Sequence, residues 1–313
     1  MGKFAVVFSG QGSQVIGMLE ELERHYVAVK ETFSEASNAL GYDLWSLVQN
    51  GPEEDLNQTF RTQPALLAAS VSVWRIWKEL GYDQPVSLAG HSLGEYSALV
   101  CADVINFQDA IKLVELRGKL MQEAVPEGTG AMCAIIGLRK DIVEKTCKEV
   151  EKWDGVVSPA NYNSPFQIVI SGNKCAVKRV EMLCKKVGAK YTFPLSVSVP
   201  SHCALMRPAA DRLAAKLAEI EFTTPIFPVI NNVDVVTELK PEKIKMALVR
   251  QLYSPVRWTE IVQLMNKQGV KCLLEMGSGN RVLTGLTKRI VKMLKSGVIN
   301  DIASLNAAKA LIF

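Results

Sequence analysis

The stretch that most constrains this chain is residues 86–104. Val86, Leu88 and Ala89 form a short apolar run that reads as a buried strand. Gly90-His91-Ser92-Leu93-Gly94 follows, and a helix-compatible run begins at Glu95. Gly-x-Ser-x-Gly between a strand and a helix is the pattern of a nucleophile elbow, a sharp turn that lifts the serine hydroxyl clear of a sheet. Side chains at Gly90 or Gly94 would crowd the crossing strand and helix. The turn also leaves the Leu93 N–H near the helix start, where it can face a developing oxyanion. An ordinary glycine-rich turn is the plainer alternative.

The rest of the chain must supply a sheet for that turn. Its 313 residues suffice for one large domain or one and a half. A hydrophobic content of 48% and a charged content of 22% suit a soluble globular protein. No apolar run reaches the ~18 residues of a membrane span. The opening residues are too short for a signal peptide and run straight into a strand. Seven cysteines lie scattered with no Cys-x-x-Cys pair, so they read as reduced thiols of a cytoplasmic protein rather than a disulfide frame or metal site. A net charge of +4 is mild. It is compatible with an acidic partner, and no basic-aromatic stripe points to nucleic acid.

Taken in order, residues 4–8 are a fully apolar strand, followed by the loop Ser9-Gly10-Gln11-Gly12-Ser13-Gln14. Val15 stands where a dinucleotide fingerprint needs glycine, and no P-loop is present. The loop is either a plain turn or a device to bring a backbone N–H, such as that of Gln11, to the site. A helix is expected over 20–40. Thr62-Gln63-Pro64 opens another, with proline just inside its start. A helix over 109–125 buries Ala110, Leu113, Val114, Leu116, Leu120 and Met121, and Arg117 falls on that same face. An inward arginine needs an anion, although a structural ion pair or a snorkelling side chain is the blander reading.

Composition shifts at residues 126–130. Strands at 131–138, 156–161, 167–171 and 190–197 alternate with helices at 141–152 and 174–187, the β-α-β-β-α-β order of a ferredoxin-like unit. The remainder predicts helices at 208–220, 243–253, 259–267 and 282–294, strands at 227–231 and 271–276, and a turn at 277–279, with 298–313 weakly specified. This alternation predicts an α/β fold with a mostly parallel sheet. Residues 1–126 and 199–313 form its catalytic core, and residues 127–198 a small, lid-like subdomain.

The chain has three histidines. His25 sits in a charged helical stretch, and His91, next to Ser92, should leave the turn on the opposite side. His202 follows the serine in chain order, in a segment free of regular structure where a side chain can be aimed. It is therefore the candidate general base. No carboxylate lies in an obvious place to orient it, which leaves a backbone carbonyl, with Gln251, Asn231 or Asn232 as neighbours.

Phe8-Ser-Gly-Gln11-Gly-Ser-Gln14, Gln63-Pro64-Ala-Leu, Gly90-His-Ser92-Leu-Gly-Glu95, Arg117-Gly, Ser201-His202, Asn231-Asn-Val, Gln251-Leu and Leu283-Thr-Gly-Leu occur in that order. Over residues 1 to 294 the chain resembles the malonyl-CoA:acyl carrier protein transacylases of bacterial type II fatty acid synthesis. The resemblance implies an α/β-hydrolase-like core with an inserted ferredoxin-like subdomain. It implies Ser92 as the nucleophile that carries malonyl and His202 as its base, oriented by the main-chain carbonyl of Gln251. The N–H groups of Gln11 and Leu93 would form the oxyanion hole. Arg117 would grip the malonyl carboxylate, with Gln11, Gln63 and Ser201 also at the substrate site. No cofactor or metal is implied. The partners would be a coenzyme A thioester and acyl carrier protein, with no nucleic acid and no membrane. Two positions depart from the family: Ser9 replaces a proline and should stiffen the loop less, and Gly277-Ser-Gly-Asn-Arg281 replaces a glycine-proline-glycine turn, expected away from the chemistry. A serine esterase or thioesterase on the same elbow is the competing reading, and Arg117 argues against it. A carrier-binding protein with a silent site is a third.

Overall fold

A computed structural model describes residues 2–195, 199–277 and 279–312. Its strands are β1 (Phe4–Phe8), β2 (Leu88–Gly90), β3 (Gly130–Ile136), β4 (Val157–Ser164), β5 (Gln167–Asn173), β6 (Tyr191–Pro194), β7 (Val229–Ile230), β8 (Cys272–Met276) and β9 (Lys295–Ile299). They make two sheets.

The first has the order β7-β2-β1-β8-β9, and every pairing is parallel. Every residue of β1 and β8 is buried, as a sheet covered by helices on both faces requires. The chain leaves β1 to one side for β2 and later returns on its other side as β8, so the order reverses at β1. Phe8 pairs with Gly90, which sets the carboxyl ends of β1 and β2 level. Sites in open α/β sheets form at such an end.

The second sheet has the order β4-β5-β3-β6, all antiparallel, which is the ferredoxin-like arrangement. Helices Lys140–Asp154 and Lys174–Lys186 cover one face through a core that includes Ile135, Val143, Ile170 and Val180. The other face carries Met132, Ala134, Ala160 and Val169. It meets the rest of the protein where the Val256 N–H donates to the Ala160 carbonyl and the Tyr162 N–H to the Val256 carbonyl.

Several elements differ from the sequence expectation. Pro64 lies inside the helix Thr59–Glu79, not at its start. That helix begins a turn earlier because Gln58, extended, offers its carbonyl to the N–H groups of Arg61 and Thr62. The expected helix over 20–40 is two, Glu20–His25 and Val27–Leu40, separated by an extended Tyr26. The expected helix over 282–294 stops at Ile290. Residues 295–299 instead form β9, whose Val298 and Ile299 are buried, and a helix Ile302–Ile312 follows with Asp301 accepting from the Ser304 N–H at its start. Residues 196 and 197 of the expected last small-sheet strand and Ser278 of the expected turn lie outside the described residues.

Candidate active site

The elbow follows from backbone crowding. A Cβ at Gly90 would stand 1.8 Å from the Gly94 carbonyl carbon, and one at Gly94 would stand 2.0 Å from the Phe8 carbonyl oxygen. A Cβ at Gly10 would meet the His91 carbonyl oxygen at 2.5 Å. The helix Gly94–Cys101 therefore crosses β1 and β2 at a distance only glycine permits. Ser92 sits at φ 54°, a left-handed conformation that costs a residue with a side chain about 1–2 kcal/mol. Two amides hold it there. Asn232 Oδ1 accepts from the Ser92 N–H at 2.8 Å, and Gln251 Nε2 donates to the Ser92 carbonyl at 3.0 Å.

His202 also has a left-handed backbone, at φ 63°. Its Nδ1 lies 2.7 Å from the Gln251 carbonyl, and its Nε2 lies 2.8 Å from Ser92 Oγ. A carbonyl can only accept, so Nδ1 carries the proton in the neutral ring and the Nε2 lone pair faces the hydroxyl. Burial, and next the positive charge of Arg117, bring the imidazole down to about 3. The ring is thus neutral across the physiological range and free to accept a proton.

Arg117 comes from the helix Phe107–Glu123 and is 1% exposed. Gly118, the next residue, lets that helix approach the backbone of Phe60, where a Cβ would stand 2.4 Å from Cα. The guanidinium donates through Nη1 to Gln63 Oε1 at 2.8 Å, and through Nη2 to Gln251 Oε1 at 2.9 Å and Ser92 Oγ at 3.2 Å. Its Nε has no acceptor among the described residues, and the group lies over the Tyr96 ring. Gln251 in turn donates to Glu95 Oε2 at 2.8 Å, and the Asn232 N–H donates to the same oxygen at 3.0 Å. The inward arginine therefore rests among neutral amides, with a buried carboxylate one amide away. Burial pushes the Glu95 carboxyl up to about 7, against the opposing pull of the Gln251 and Asn232 hydrogen bonds and of Arg117.

These groups open onto a cavity of about 110 Å³. Ser92, His202, Arg117, Gln11, Leu93 and Ser201 all line it. Gln63 is buried behind Arg117, touching that side chain rather than the cavity. Gln11 is tied by its side chain to Thr59 Oγ1 at 3.2 Å. A wider cleft, about 750 Å³, runs past Trp74, Arg75, Asp103 and Phe107 and contains none of the sequence-predicted residues. Among the described residues no group of three His, Cys, Asp or Glu side chains is placed to hold a metal ion. No helix among them is long and apolar enough to cross a membrane.

A serine–histidine pair with a buried arginine at the serine oxygen is suited to acyl transfer, and comparison with known proteins agrees. Residues 5–292 match the acyl transferase domain family. The chain belongs to that family. A malonyl CoA-acyl carrier protein transacylase of Haemophilus influenzae is 61% identical over 310 residues, 99% of each chain. The crystal structure of an acyl carrier protein S-malonyltransferase from Vibrio cholerae superposes with a TM-score of 0.96 at 66% identity, covering 98% of this chain and 99% of that one. A malonyl-transacylase solved with the acyl carrier protein of a type II polyketide synthase superposes equally well, at 0.96 and 62% identity, with the same coverage.

In this acyltransferase the structure adds residues that sequence patterns did not single out. His91 borders the cavity beside Ser92, and its ring turns away from the partners of the serine hydroxyl, as expected, to lie 5.6 Å from the Trp258 ring. Its Nε2 lies 2.8 Å from Asn163 Oδ1 of β4, which ties the small sheet to the elbow. Asn232 braces the elbow rather than His202, through the Ser92 N–H and through Nδ2 to the Gly90 carbonyl at 2.7 Å. Asn231 caps its own turn, accepting from the Asp234 N–H. His25 is exposed, as expected. Ser9 is buried and donates to Glu275, so a side-chain tether does the work expected of the missing proline. The Gly279 and Asn280 N–H groups both donate to the Ser13 carbonyl of the loop that carries Gln11, and neither residue lines the cavity. Glu95 was visible only as a letter in the elbow motif.

Proposed function

We propose that this chain transfers malonyl from malonyl-CoA to the phosphopantetheine thiol of an acyl carrier protein by a ping-pong route through malonyl-Ser92. The observation that carries the reading is Arg117 Nη2 at 3.2 Å from Ser92 Oγ. It sets a buried cation beside the nucleophile, where a carboxylate on the acyl group would reach it. A neutral-ester hydrolase has no use for that charge.

Ser92 Oγ attacks the thioester carbonyl while His202 Nε2 takes its proton. The oxyanion is met by the N–H groups of Gln11 and Leu93. Collapse breaks the C–S bond, and the proton on His202 passes to the leaving thiolate of coenzyme A. The carrier thiol then gives its proton to His202, attacks the malonyl ester, and releases Ser92 Oγ, which recovers the proton. Gln251 orients the imidazole through its carbonyl and Arg117 through its amide. Arg117 pairs with the malonyl carboxylate, whose charge also offsets the cation that lowers His202 basicity. Charged hydrogen bonds contribute about 1.5–3 kcal/mol each, so a pair favours malonyl over acetyl by on the order of 10²-fold or more. Ser201, beside His202, and Gln63, behind Arg117, complete the substrate side. We assign the chemistry to residues 1–126 and 199–313 and the cleft wall to residues 127–198. Seven free cysteines suit a reaction in the cytoplasm.

The test is intact-protein mass after brief mixing with malonyl-CoA, with acetyl-CoA in parallel and Ser92→Ala as control. A single malonyl adduct on the wild type alone is expected. Free coenzyme A accumulating with no adduct would make the protein a hydrolase.

A further inference from the structure

β6 is the edge strand of the small sheet, and its side chains divide sharply. Thr192 points to the helix-covered face, where its Oγ1 donates to Glu181 Oε1 of Lys174–Lys186 at 2.8 Å. Strand alternation places Tyr191, Phe193 and Leu195 on the opposite face. Leu195 lines the Ser92 cavity beside Met132, to whose carbonyl its N–H donates. Phe193 pairs in register with Ala134 and Tyr191 with Ile136, so the row continues outward from the cavity along one face. Tyr191 is 62% and Phe193 51% exposed, yet their rings stack at 5.9 Å with an interplanar angle of 26°. A rigid aromatic stack in solvent, continuous with a catalytic cavity, has no role in folding that its exposure would reward.

We infer that Tyr191 and Phe193 are the platform on which the adenine base of the coenzyme A donor stacks. This rests on the proposed acyl transfer and names where the donor's far end binds. The four residue steps from Leu195 to Tyr191 span about 13 Å, the scale of an extended pantetheine arm with its two amide-linked units. A thioester at Ser92 with its arm along the row sets its nucleotide at the ring pair. The outer ring face offers one base a stacking surface, and the pair falls well short of the ~800 Å² per partner of a stable protein interface. The carrier protein has the same arm but no nucleotide, so the platform serves the donor alone.

The experiment compares Ser92 malonylation from malonyl-CoA and from malonyl-pantetheine, in wild type and in Tyr191→Ala/Phe193→Ala. Base–aromatic stacking predicts a rise of about tenfold in KM for malonyl-CoA. The KM for malonyl-pantetheine, kcat for both donors and the KM for the acyl carrier protein stay unchanged. Adenosine 3′,5′-bisphosphate competes with malonyl-CoA on the wild type and loses that effect in the variant. Tyr191→Phe, which keeps both rings, retains wild-type values. Equal changes for both donors, no change for either, or a raised KM for the carrier protein would overturn the inference, the last by making the patch a protein-docking surface. Failure of the wild type to load from either donor would instead sink the acyl-transfer reading itself.

Discussion

In the parallel sheet, β1 ends at the elbow, where its Phe8 carbonyl accepts from the His91 N–H, and every one of its residues is buried. In the antiparallel sheet, β6 runs along an edge with two aromatic rings in solvent. Ser92, His202, Arg117, Gln251 and Glu95 all belong to the first region. The second contributes Met132, Asn161 and Leu195 to the cavity wall and Asn163 to the ring of His91. On the proposed reading, chemistry and access are thus housed separately. The groups that must stay aligned to tenths of an ångström come from the elbow, a turn and helices packed against a sheet buried on both sides. On that reading, the wall that the acyl donor passes is one face of a sheet left partly open. Changes in the first region should alter what reacts, and changes in the second how it arrives.

Arg117→Ala is the strongest test of that division. Malonyl transfer is expected to fall by on the order of 10²-fold or more, while acetyl transfer holds or rises, read as kcat/KM for the two thioesters. Equal loss of both would return Arg117 to a structural role. The pH dependence follows next in size. An ordinary histidine, with a pKa near 6.5, would lose about tenfold in base catalysis one unit below that value. His202 is held down to about 3, so malonyl loading is expected to stay flat between pH 7 and 5.5 in a rapid-quench assay. The same depression has a stability sign. The folded value lies below the unfolded one, so the native state disfavours the imidazolium. That contribution is complete above about pH 6.5 and is lost as the pH falls towards 3. Asn163→Ala should give the smallest effect. It removes one hydrogen bond between the small sheet and the elbow, worth about 1 kcal/mol. A rise of about fivefold in KM for malonyl-CoA with kcat unchanged is expected. A fall in kcat instead would show that the small sheet also aligns the chemistry.

Much of this was legible in the chain. Gly90-His-Ser92-Leu-Gly94 announced its turn because the crowding that demands glycine arises within a few residues and across one neighbouring strand. The small sheet's strand and helix order was readable for a like reason, since periodicity reports which face of each local element is buried. Arg117 stood out as a charge on such a face. β9 was hidden, because Lys295-Ser-Gly297 lacks an apolar run and only pairing with β8 makes it a strand. The same is true of the site's polar frame. Gln251 touches the Ser92 carbonyl from 159 residues away and Glu95 from 156. Asn232 reaches the Ser92 N–H across 140. No spacing rule encodes a contact of that range.

The sequence by itself therefore determined most of the elements, the elbow and the inward arginine, set by local sterics and burial patterns, while chain order singled out His202. Only the tertiary structure decided that one glutamine serves His202 through its carbonyl and Arg117 through its amide, and that Glu95 sits behind both. A buried polar group must be satisfied by whatever the fold brings against it, and that partner is chosen by packing in three dimensions.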